Sequence, residues 1–304
     1  ASDVYKRQDL HAKPIKVIII MTIFRYQRRD TMTHANKEVS TALYQAFTSK
    51  KPINFISSSF ELNELEAYHT QDDLINQLKN KQKSEIKGYK VSMTSAATQA
   101  IANTNEPAYG TILSTQVVEG DNSISLSTLF DPLLEPELIF ELTADLPENA
   151  DVQTILESVK VAPGIEIPDA RYKDWFPNFA LSDLISDNTA TGLIVVGKRV
   201  TPLDYKSFAD INLKLFKNDQ EIETGHSSDV LGNPIESIKW LNKKLHSHGK
   251  RLEKGQFISS GTFISPLQLE KGIYIAEYEK VGSVKVEVKD LSLIHISEPT
   301  RRRG

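Results

Sequence analysis

The chain has 304 residues, a formal net charge of −4 at pH 7 and no cysteine. The missing thiols exclude disulfides, thiolate–metal sites and a cysteine nucleophile. The acidic balance argues against a nucleic-acid backbone or an anionic membrane as a partner, so we expect binding to neither. For a chain without cysteine, the cytoplasm is the default compartment, and we expect the protein there.

The coding sequences of the two ends can share an inverted repeat. Residues 3–8 can be encoded by a string whose reverse complement, read in frame, gives residues 291–296; this repeat resembles the transposon-end adapter of sequencing libraries. A ribosome-binding sequence can be written directly before Met32. We therefore expect residues 1–31 to be adapter and untranslated leader, and residues 291–304 to be an adapter-derived tail. Without them, 26 of the 36 Lys and Arg and 36 of the 40 Asp and Glu remain, a net charge of −10.

Two amphipathic patterns open the remaining chain. Apolar residues at helical spacing predict helices at 36–47 and 63–83. The stretch 88–95 then alternates as a strand, with Lys90 and Thr94 on its polar face. A polar face that carries a lysine is compatible with an active site, although an isolated lysine on a strand is most often simply exposed. The residues alone leave both interpretations of Lys90 open.

The run from 133 to 140 is apolar and strand-like, but it contains two carboxylates. Glu135 and Glu137 are two residues apart, so in a strand they project from the same face, which is unfavourable in an apolar setting unless a cation neutralises them. Pro136 cannot donate to a sheet, which predicts an edge strand or an irregular one. Glu166 follows in a similar setting, and three hard oxygen donors favour Mg²⁺ or Mn²⁺. The alternative is that these glutamates face solvent on half-exposed strands.

The rest of the chain predicts many short strands and a few helices. Alternation at 211–216 and a turn at 218–219 predict a β-hairpin. Asn233 with Glu236 three residues later predicts a capping box, at the start of a helix that ends at Gly249. Because strands and helices do not alternate strictly, we predict an α+β fold dominated by β-structure. The sequence contains no nucleophile elbow, phosphate-binding loop or dinucleotide-binding glycine motif.

Several short motifs occur in an order that is typical of one enzyme family. They are Gly88-Tyr89-Lys90, Glu106-Pro107, Glu135-Pro136-Glu137, Pro163-Gly164-Ile165-Glu166, Asp169-Ala170-Arg171, Asp187-Asn188, Leu231-Gly232-Asn233-Pro234, Gly261-Thr262 and Gly282-Ser283-Val284. In this register the sequence resembles the 2-keto-4-pentenoate hydratase and 4-oxalocrotonate decarboxylase branch of the fumarylacetoacetate hydrolase (FAH) family, over essentially all of 32–290. Two departures are Ser92, where Gly is commoner, and Ala108, at a frequent Asp position.

The resemblance implies a fold and a division of the chain. The family fold is an α+β, β-rich mixed-sheet roll of the FAH C-terminal type, with a small helical N-terminal part, and the family usually forms homo-oligomers. We therefore expect the helical part and the lysine-bearing strand at 32–110, the catalytic β-roll at 111–290, and a homo-oligomer.

The resemblance also implies an active site. By motif position, the Mg²⁺ or Mn²⁺ ligands are Glu135, Glu137 and Glu166, and Lys90 matches the catalytic lysine. Lys90 would move protons at the carbon skeleton of the substrate if burial or the metal lowers its pKa. The residues expected to bind the small 2-keto acid substrate are Thr94, Ser95, Arg171, Asn188 and Thr262.

The motifs imply an enzyme but do not separate its reactions. The first hypothesis is a metal-dependent hydro-lyase that adds water to 2-hydroxypenta-2,4-dienoate (2-keto-4-pentenoate) to give 4-hydroxy-2-oxopentanoate, in the meta-cleavage type of aromatic-compound catabolism. The alternatives are a 4-oxalocrotonate (2-oxohex-3-enedioate) decarboxylase and, because of Ala108, a catalytically silent partner subunit of the same fold. A dicarboxylate substrate favours an arginine partner, and residues 32–290 contain only Arg171, Arg199 and Arg251. This scarcity favours the hydratase.

Overall fold

The computed structural model describes residues 34–290, so the predicted leader and tail lie outside the described residues. Two helices come first, and both confirm the prediction from apolar spacing: α1 at 34–49 and α2 at Glu64–Gln82. The α2 helix begins with a capping box, in which the Asn63 side chain accepts the N–H of Glu66 and the Glu66 carboxylate accepts the N–H of Asn63. This exchange satisfies two backbone donors that a helix start otherwise leaves free.

The other elements of the described chain are mostly short. The further helices are α3 (Ala96–Ile101), α4 (Val152–Glu157), α5 (Leu181–Ser186), α6 (Tyr205–Phe208) and α7 (Pro234–Ser247). The strands are β1 (Ile86–Ser92), β2 (Ala108–Leu113), β3 (Val117–Glu119), β4 (Ser123–Ser125), β5 (Leu133–Leu142), β6 (Val159–Ile167), β7 (Leu193–Val196), β8 (Asn212–Lys217), β9 (Gln220–His226), β10 (Phe257–Thr262), β11 (Leu267–Gln268), β12 (Gly272–Tyr278) and β13 (Gly282–Lys289). The strand predicted at 88–95 corresponds to β1, which ends at Ser92 because Ser95 caps the start of α3.

A mixed eight-stranded sheet carries the predicted site. Its order is β2-β1-β10-β5-β6-β7-β3, with β11 paired to β5. β5 thus lies between β10 and β6, and the edge position predicted from Pro136 is wrong. The predicted irregularity is present instead in the neighbouring strand. β10 has one extra residue where Ser259 pairs with Ile139 and Thr262 with Glu137, which is a β-bulge.

A five-stranded sheet of order β4-β13-β12-β8-β9 packs against the first sheet. Strands β12 and β13 contact β6, and the Tyr278 hydroxyl of β12 donates to the Gly164 carbonyl at 2.6 Å. The predicted hairpin is confirmed as β8–β9, whose turn residues Asn218 and Asp219 have φ of 50° and 65°; these two residue types tolerate the left-handed region well. Together the two sheets and the helical N-terminal part form the β-rich α+β fold that the motifs predicted.

Two details differ from the sequence predictions. Asn233 caps α7 by accepting the N–H of Ile235, but Glu236 accepts the Tyr205 hydroxyl at 2.8 Å, so there is no capping box at this end of the described helix. The predicted boundary at 110 falls inside β2, so the sheet is shared by both predicted parts. The division of the chain stays a prediction.

Candidate metal centre and active site

Three carboxylates come together where β5 and β6 pair. Glu135 lies directly opposite Glu166 in this antiparallel ladder, and Glu137 follows two residues later, on the same face as Glu135. Each of the three offers a carboxylate oxygen that lies within 4.8 Å of the other two. Glu137 is 1% and Glu166 0% exposed, and Glu135 is half-buried. The alternative of solvent-facing glutamates is therefore wrong.

The bulge of β10 holds the Glu137 carboxylate. Its Oε2 accepts the Ser259 hydroxyl at 2.5 Å and the Gly261 N–H at 2.9 Å. Gly261 has φ of 118°, and a Cβ on it would lie 2.4 Å from Thr94 Oγ1, so the position requires glycine. The sequence analysis assigned Ser259 and Gly261 no role. The glycine of the Gly261-Thr262 motif was the available signal.

Lys90 completes the buried cluster from the other side of β10. β1 runs parallel to β10 with Lys90 opposite Ser259, and the Lys90 Nζ lies 2.5 Å from Glu166 Oε1. The lysine is 1% exposed. The interpretation of Lys90 as an exposed strand residue is therefore wrong, and its ammonium is placed among the carboxylates.

Burial controls the acidity of this cluster. Burial raises the pKa of Glu135 to about 7, and it also raises the pKa values of Glu137 and Glu166. Repulsion from neighbouring carboxylates raises the pKa values of Glu135 and Glu137 further. The positive charge of Lys90 opposes the rise at all three residues. For the Lys90 ammonium, burial lowers the pKa, but Glu166, Glu135 and Glu137 outweigh it, so the net direction is upward. The lowered pKa considered for Lys90 is therefore not found, because three carboxylates surround one cation.

The donor set fits a hard divalent cation. Apart from the Lys90 contact, neither carboxylate oxygen of the fully buried Glu166 has a hydrogen-bond partner within the described residues. A buried carboxylate without partners is costly unless a cation neutralises it. All three ligand groups are oxygens, which Mg²⁺ and Mn²⁺ prefer. The arrangement therefore fits one such ion between Glu135, Glu137 and Glu166.

A cavity of about 290 Å³ opens onto this cluster. Small-molecule sites typically measure ~300–1,000 Å³, so the cavity suits a small substrate. Its lining includes the predicted residues Lys90, Thr94, Ser95, Glu135, Glu137 and Thr262, and further Ser92, Trp175, Phe176, Phe179, Thr189 and Asp229. Ala108 is buried in β2 opposite Ser92 and is not among the residues that line the cavity. The Ala108 methyl group therefore forms no part of the cavity wall.

Two predicted substrate-binding residues lie elsewhere. Arg171 binds Asp187 through its backbone N–H and its guanidinium, and it also donates to the Asp169 carbonyl at 2.8 Å. The Asn188 side chain accepts the Thr111 N–H at 2.7 Å and donates to the Thr111 carbonyl at 2.8 Å. Neither side chain lines the cavity beside the carboxylates, so their positions do not support a contact with substrate.

Arg171 and Asn188 instead support a strained turn that does line the cavity. Asn188, Thr189 and Ala190 have φ of 54°, 53° and 52°. Asn tolerates this conformation, but at Thr189 and Ala190 it costs on the order of 1–2 kcal/mol each. The Thr189 hydroxyl donates to the Tyr109 carbonyl at 2.6 Å, which ties the turn to β2. The role of Arg171 and Asn188 in the structure is therefore to hold part of the cavity wall.

Comparison with known proteins assigns the family. No family model matches the sequence. A 4-oxalocrotonate decarboxylase of Pseudomonas sp is 30% identical over 199 residues, which cover 65% of this chain and 76% of that protein. The chain belongs to the 2-keto-4-pentenoate hydratase and 4-oxalocrotonate decarboxylase branch of the fumarylacetoacetate hydrolase family.

Other members of this branch match over more of the chain. A 2-keto-4-pentenoate hydratase of Paraburkholderia xenovorans (strain LB400) is 29% identical over 257 residues, which cover 83% of this chain and 94% of that protein. The solved structure of 4-oxalocrotonate decarboxylase from Pseudomonas putida G7, complexed with magnesium and adipate, has a TM-score of 0.77 at 22% identity, and it covers 84% of this chain and 98% of its own. That structure confirms the fold. Within residues 34–290, no helix is both long and apolar enough to cross a membrane.

Proposed function

We propose that this FAH-family protein is a metal-dependent hydratase that converts 2-hydroxypenta-2,4-dienoate into 4-hydroxy-2-oxopentanoate. One observation carries the proposal: Glu135, Glu137 and Glu166 converge beside the buried Lys90, and a small cavity is lined by Glu135, Glu137 and Lys90. The names of several curated relatives support the reaction: besides the 2-keto-4-pentenoate hydratase, they include a 2-hydroxyhexa-2,4-dienoate hydratase and a 2-hydroxypent-2,4-dienoate hydratase.

The three glutamates would hold one Mg²⁺ or Mn²⁺ ion. When bound there, the ion would supply Lewis-acid stabilisation of negative charge on the ketone oxygen of a 2-oxo acid. Ser259 and the Gly261 N–H keep Glu137 oriented toward its neighbours, and Glu166 is kept in place by the ladder of β5 and β6. The protein therefore needs little rearrangement to present its ligands.

Lys90 is the proposed proton carrier. The net reaction places a hydroxyl group on C4 of the substrate and protons on C3 and C5, so a positioned acid is required. The Lys90 ammonium is buried, lies 2.5 Å from Glu166 and has a raised pKa, so it holds its proton at neutral pH. Lys90 would donate this proton to a substrate carbon as a general acid. A cation held by the same carboxylates would weaken their stabilisation of the ammonium and so favour this donation.

Thr94, Ser95 and Thr262 line the same cavity, and we propose that they bind the substrate carboxylate. Without substrate, the Thr262 hydroxyl donates to the Ile264 carbonyl at 3.0 Å, so this hydroxyl would have to exchange partners.

The second candidate function is 4-oxalocrotonate decarboxylation. It is favoured by the 30% identity to the decarboxylase of Pseudomonas sp. Its substrate carries a second carboxylate, for which residues that bind anions are needed. Among the described residues that line the cavity, Lys90 is the one cation, and it is already paired with Glu166. This favours the hydratase.

A spectrophotometric assay of the purified protein tests the proposal. With Mg²⁺ or Mn²⁺ present, 2-hydroxypenta-2,4-dienoate should be consumed with formation of 4-hydroxy-2-oxopentanoate, and EDTA should abolish turnover. Turnover of 2-oxohex-3-enedioate with release of CO₂, in place of the dienoate, would establish the decarboxylase. A metal-dependent rise in melting temperature without turnover of either compound would establish a catalytically silent partner subunit.

The proposal includes a homo-oligomer in the cytoplasm that consumes a product of aromatic ring cleavage. Its support is the family membership, since FAH-family proteins usually assemble with copies of themselves. Light scattering coupled to size-exclusion chromatography tests the oligomeric state. We expect a mass that is a multiple of the mass of one chain. A monomeric mass at micromolar concentration would contradict it.

A further inference from the structure

One wall of the cavity beside the carboxylates is a cluster of aromatic rings. The ring centroids of Trp175 and Phe176 lie 5.6 Å apart and those of Trp175 and Phe179 lie 6.1 Å apart, with all three residues lining the cavity. Trp175 is 3% exposed, and its Nε1 donates to the Asp131 carbonyl at 2.8 Å, so the cluster is fixed to the segment just before β5. Its only polar donor is thereby occupied, and the wall it presents is apolar.

The charges around this cavity are unfavourable for a second carboxylate. Lys90 is bound by Glu166, and the three arginines of residues 34–290 are engaged elsewhere: Arg171 with Asp187, Arg199 with Glu119 and Glu141, and Arg251 with Glu253. Asp229 is exposed and lines this cavity as well as an open groove that is formed by β8, β9 and β12. A ligand with a distal anion would therefore meet an apolar wall and a like charge.

We propose that the site selects monocarboxylic 2-oxo acids and dienols whose far end is a short alkyl or aryl group, and that it rejects dicarboxylates. This inference rests on the proposed function, because it assumes that the 2-oxo acid end of the ligand is bound at Glu135, Glu137 and Glu166. Phe176 and its aromatic neighbours accept the apolar tail, and Asp229 repels a terminal carboxylate.

The physical basis is the difference between burying a methyl group and burying an anion. A buried methylene contributes about fourfold to affinity, since it is worth roughly 0.8 kcal/mol. A carboxylate that leaves water without a partner is penalised far more strongly. Selectivity of this kind needs no dedicated binding residue for the tail, because the unpaired charge of the competing ligand provides the discrimination.

Calorimetric titration with unreactive 2-oxo acids in excess Mg²⁺ tests the inference. The probes are 2-oxobutanoate, 2-oxohexanoate and 2-oxohexanedioate, of which the last two have the same chain length and differ in the terminal group. We expect 2-oxohexanoate to bind about tenfold more tightly than 2-oxobutanoate and at least tenfold more tightly than 2-oxohexanedioate. Equal or tighter binding of 2-oxohexanedioate overturns the inference and leaves the proposed function intact. Failure of all three to bind overturns both.

Two variants assign the selectivity to residues. Phe176→Arg should tighten the binding of 2-oxohexanedioate and weaken the binding of 2-oxohexanoate. The affinity for 2-oxobutanoate, which has only a short tail, should stay unchanged and so show that the carboxylate cluster is intact. Asp229→Asn changes an exposed residue, so it should fold normally and bind 2-oxohexanedioate several-fold more tightly with no change for 2-oxohexanoate. The matched control is Asp219→Asn in the β8–β9 turn, which removes the same charge away from the cavity and should alter none of the three affinities. Unchanged selectivity in both Phe176→Arg and Asp229→Asn overturns the inference.

Discussion

Glu135 and Glu166 occupy directly opposed positions of the β5–β6 ladder, with Glu137 two residues further along β5. Like charges at opposed positions of neighbouring strands destabilise a sheet. Here the sheet is also buried, so the pair would be among the least favourable in the molecule without a cation. Lys90 supplies one positive charge and a divalent ion would supply two more, and the stability of the protein should therefore depend on metal.

Metal should raise the melting temperature, and Glu137→Gln should reduce this effect. The substitution keeps the shape of the side chain but removes one of three crowded charges, so the metal-free form should become slightly more stable. At one hundred times Kd, a bound ion stabilises the parent by ~2.7 kcal/mol. Calorimetric scans with EDTA and with excess Mg²⁺ measure both quantities. The matched control is Glu148→Gln, an exposed position that should behave as the parent does. An undiminished metal response in Glu137→Gln would remove Glu137 from the ligand set.

Lys90→Met should lose ~10²–10⁴-fold in turnover, the usual contribution of a general acid or base. Because Lys90 is buried against Glu166, its removal leaves an uncompensated carboxylate and should destabilise the metal-free protein by ~3–5 kcal/mol. Metal affinity should be retained or increased, since a neighbouring cation has been removed. Turnover within a few-fold of the parent, measured on folded and metal-loaded protein, would contradict a catalytic Lys90.

Metal affinity should increase as the pH rises from 6 to 8. Burial raises the pKa of Glu135 to about 7, so below that pH a proton competes with the metal for this carboxylate. The raised pKa also affects folding. Between pH 4.5, the ordinary pKa of a glutamate, and about pH 7, the folded protein binds more protons at Glu135 than the unfolded protein does. The free energy of unfolding in EDTA should therefore fall as the pH rises through this range. Titration of Mg²⁺ in buffers of different ionisation enthalpy measures the protons released. A pH-independent affinity would contradict the prediction.

Arg171→Lys should lower stability and leave the Michaelis constant unchanged. The guanidinium holds Asp187 and the Asp169 carbonyl below the turn at 188–190, and an ammonium cannot reproduce this geometry. We expect a loss of up to ~3–5 kcal/mol by chemical denaturation, the range for a broken buried ion pair. A selective rise in the Michaelis constant with normal stability would instead support the original prediction that Arg171 binds substrate.

Much of the chemistry of the site is determined by the sequence alone. The strand period places Glu135 and Glu137 on one face, and the missing cysteine restricts the metal ligands to oxygen and nitrogen donors. The motif order then suggests Glu166 as a third metal ligand and Lys90 as the catalytic lysine. The 3.6-residue period of apolar residues predicts α1 and α2 to within about two residues of their ends. These are local properties, which depend on residue type and on spacing within one element.

Only the tertiary structure decided which elements meet. The strand order puts β10 between β1 and β5, so Ser259 and Gly261 contact Glu137 from more than 120 residues away, with no local pattern that indicates it. The same motif spacing that located Glu166 also suggested Arg171 and Asn188 as substrate ligands, and the structure places them behind the cavity wall. Register and strand order arise from packing between distant segments, because a one-residue shift reverses every side chain of a strand. This is why the sequence could suggest the proposed ligand residues but not their hydrogen-bond partners.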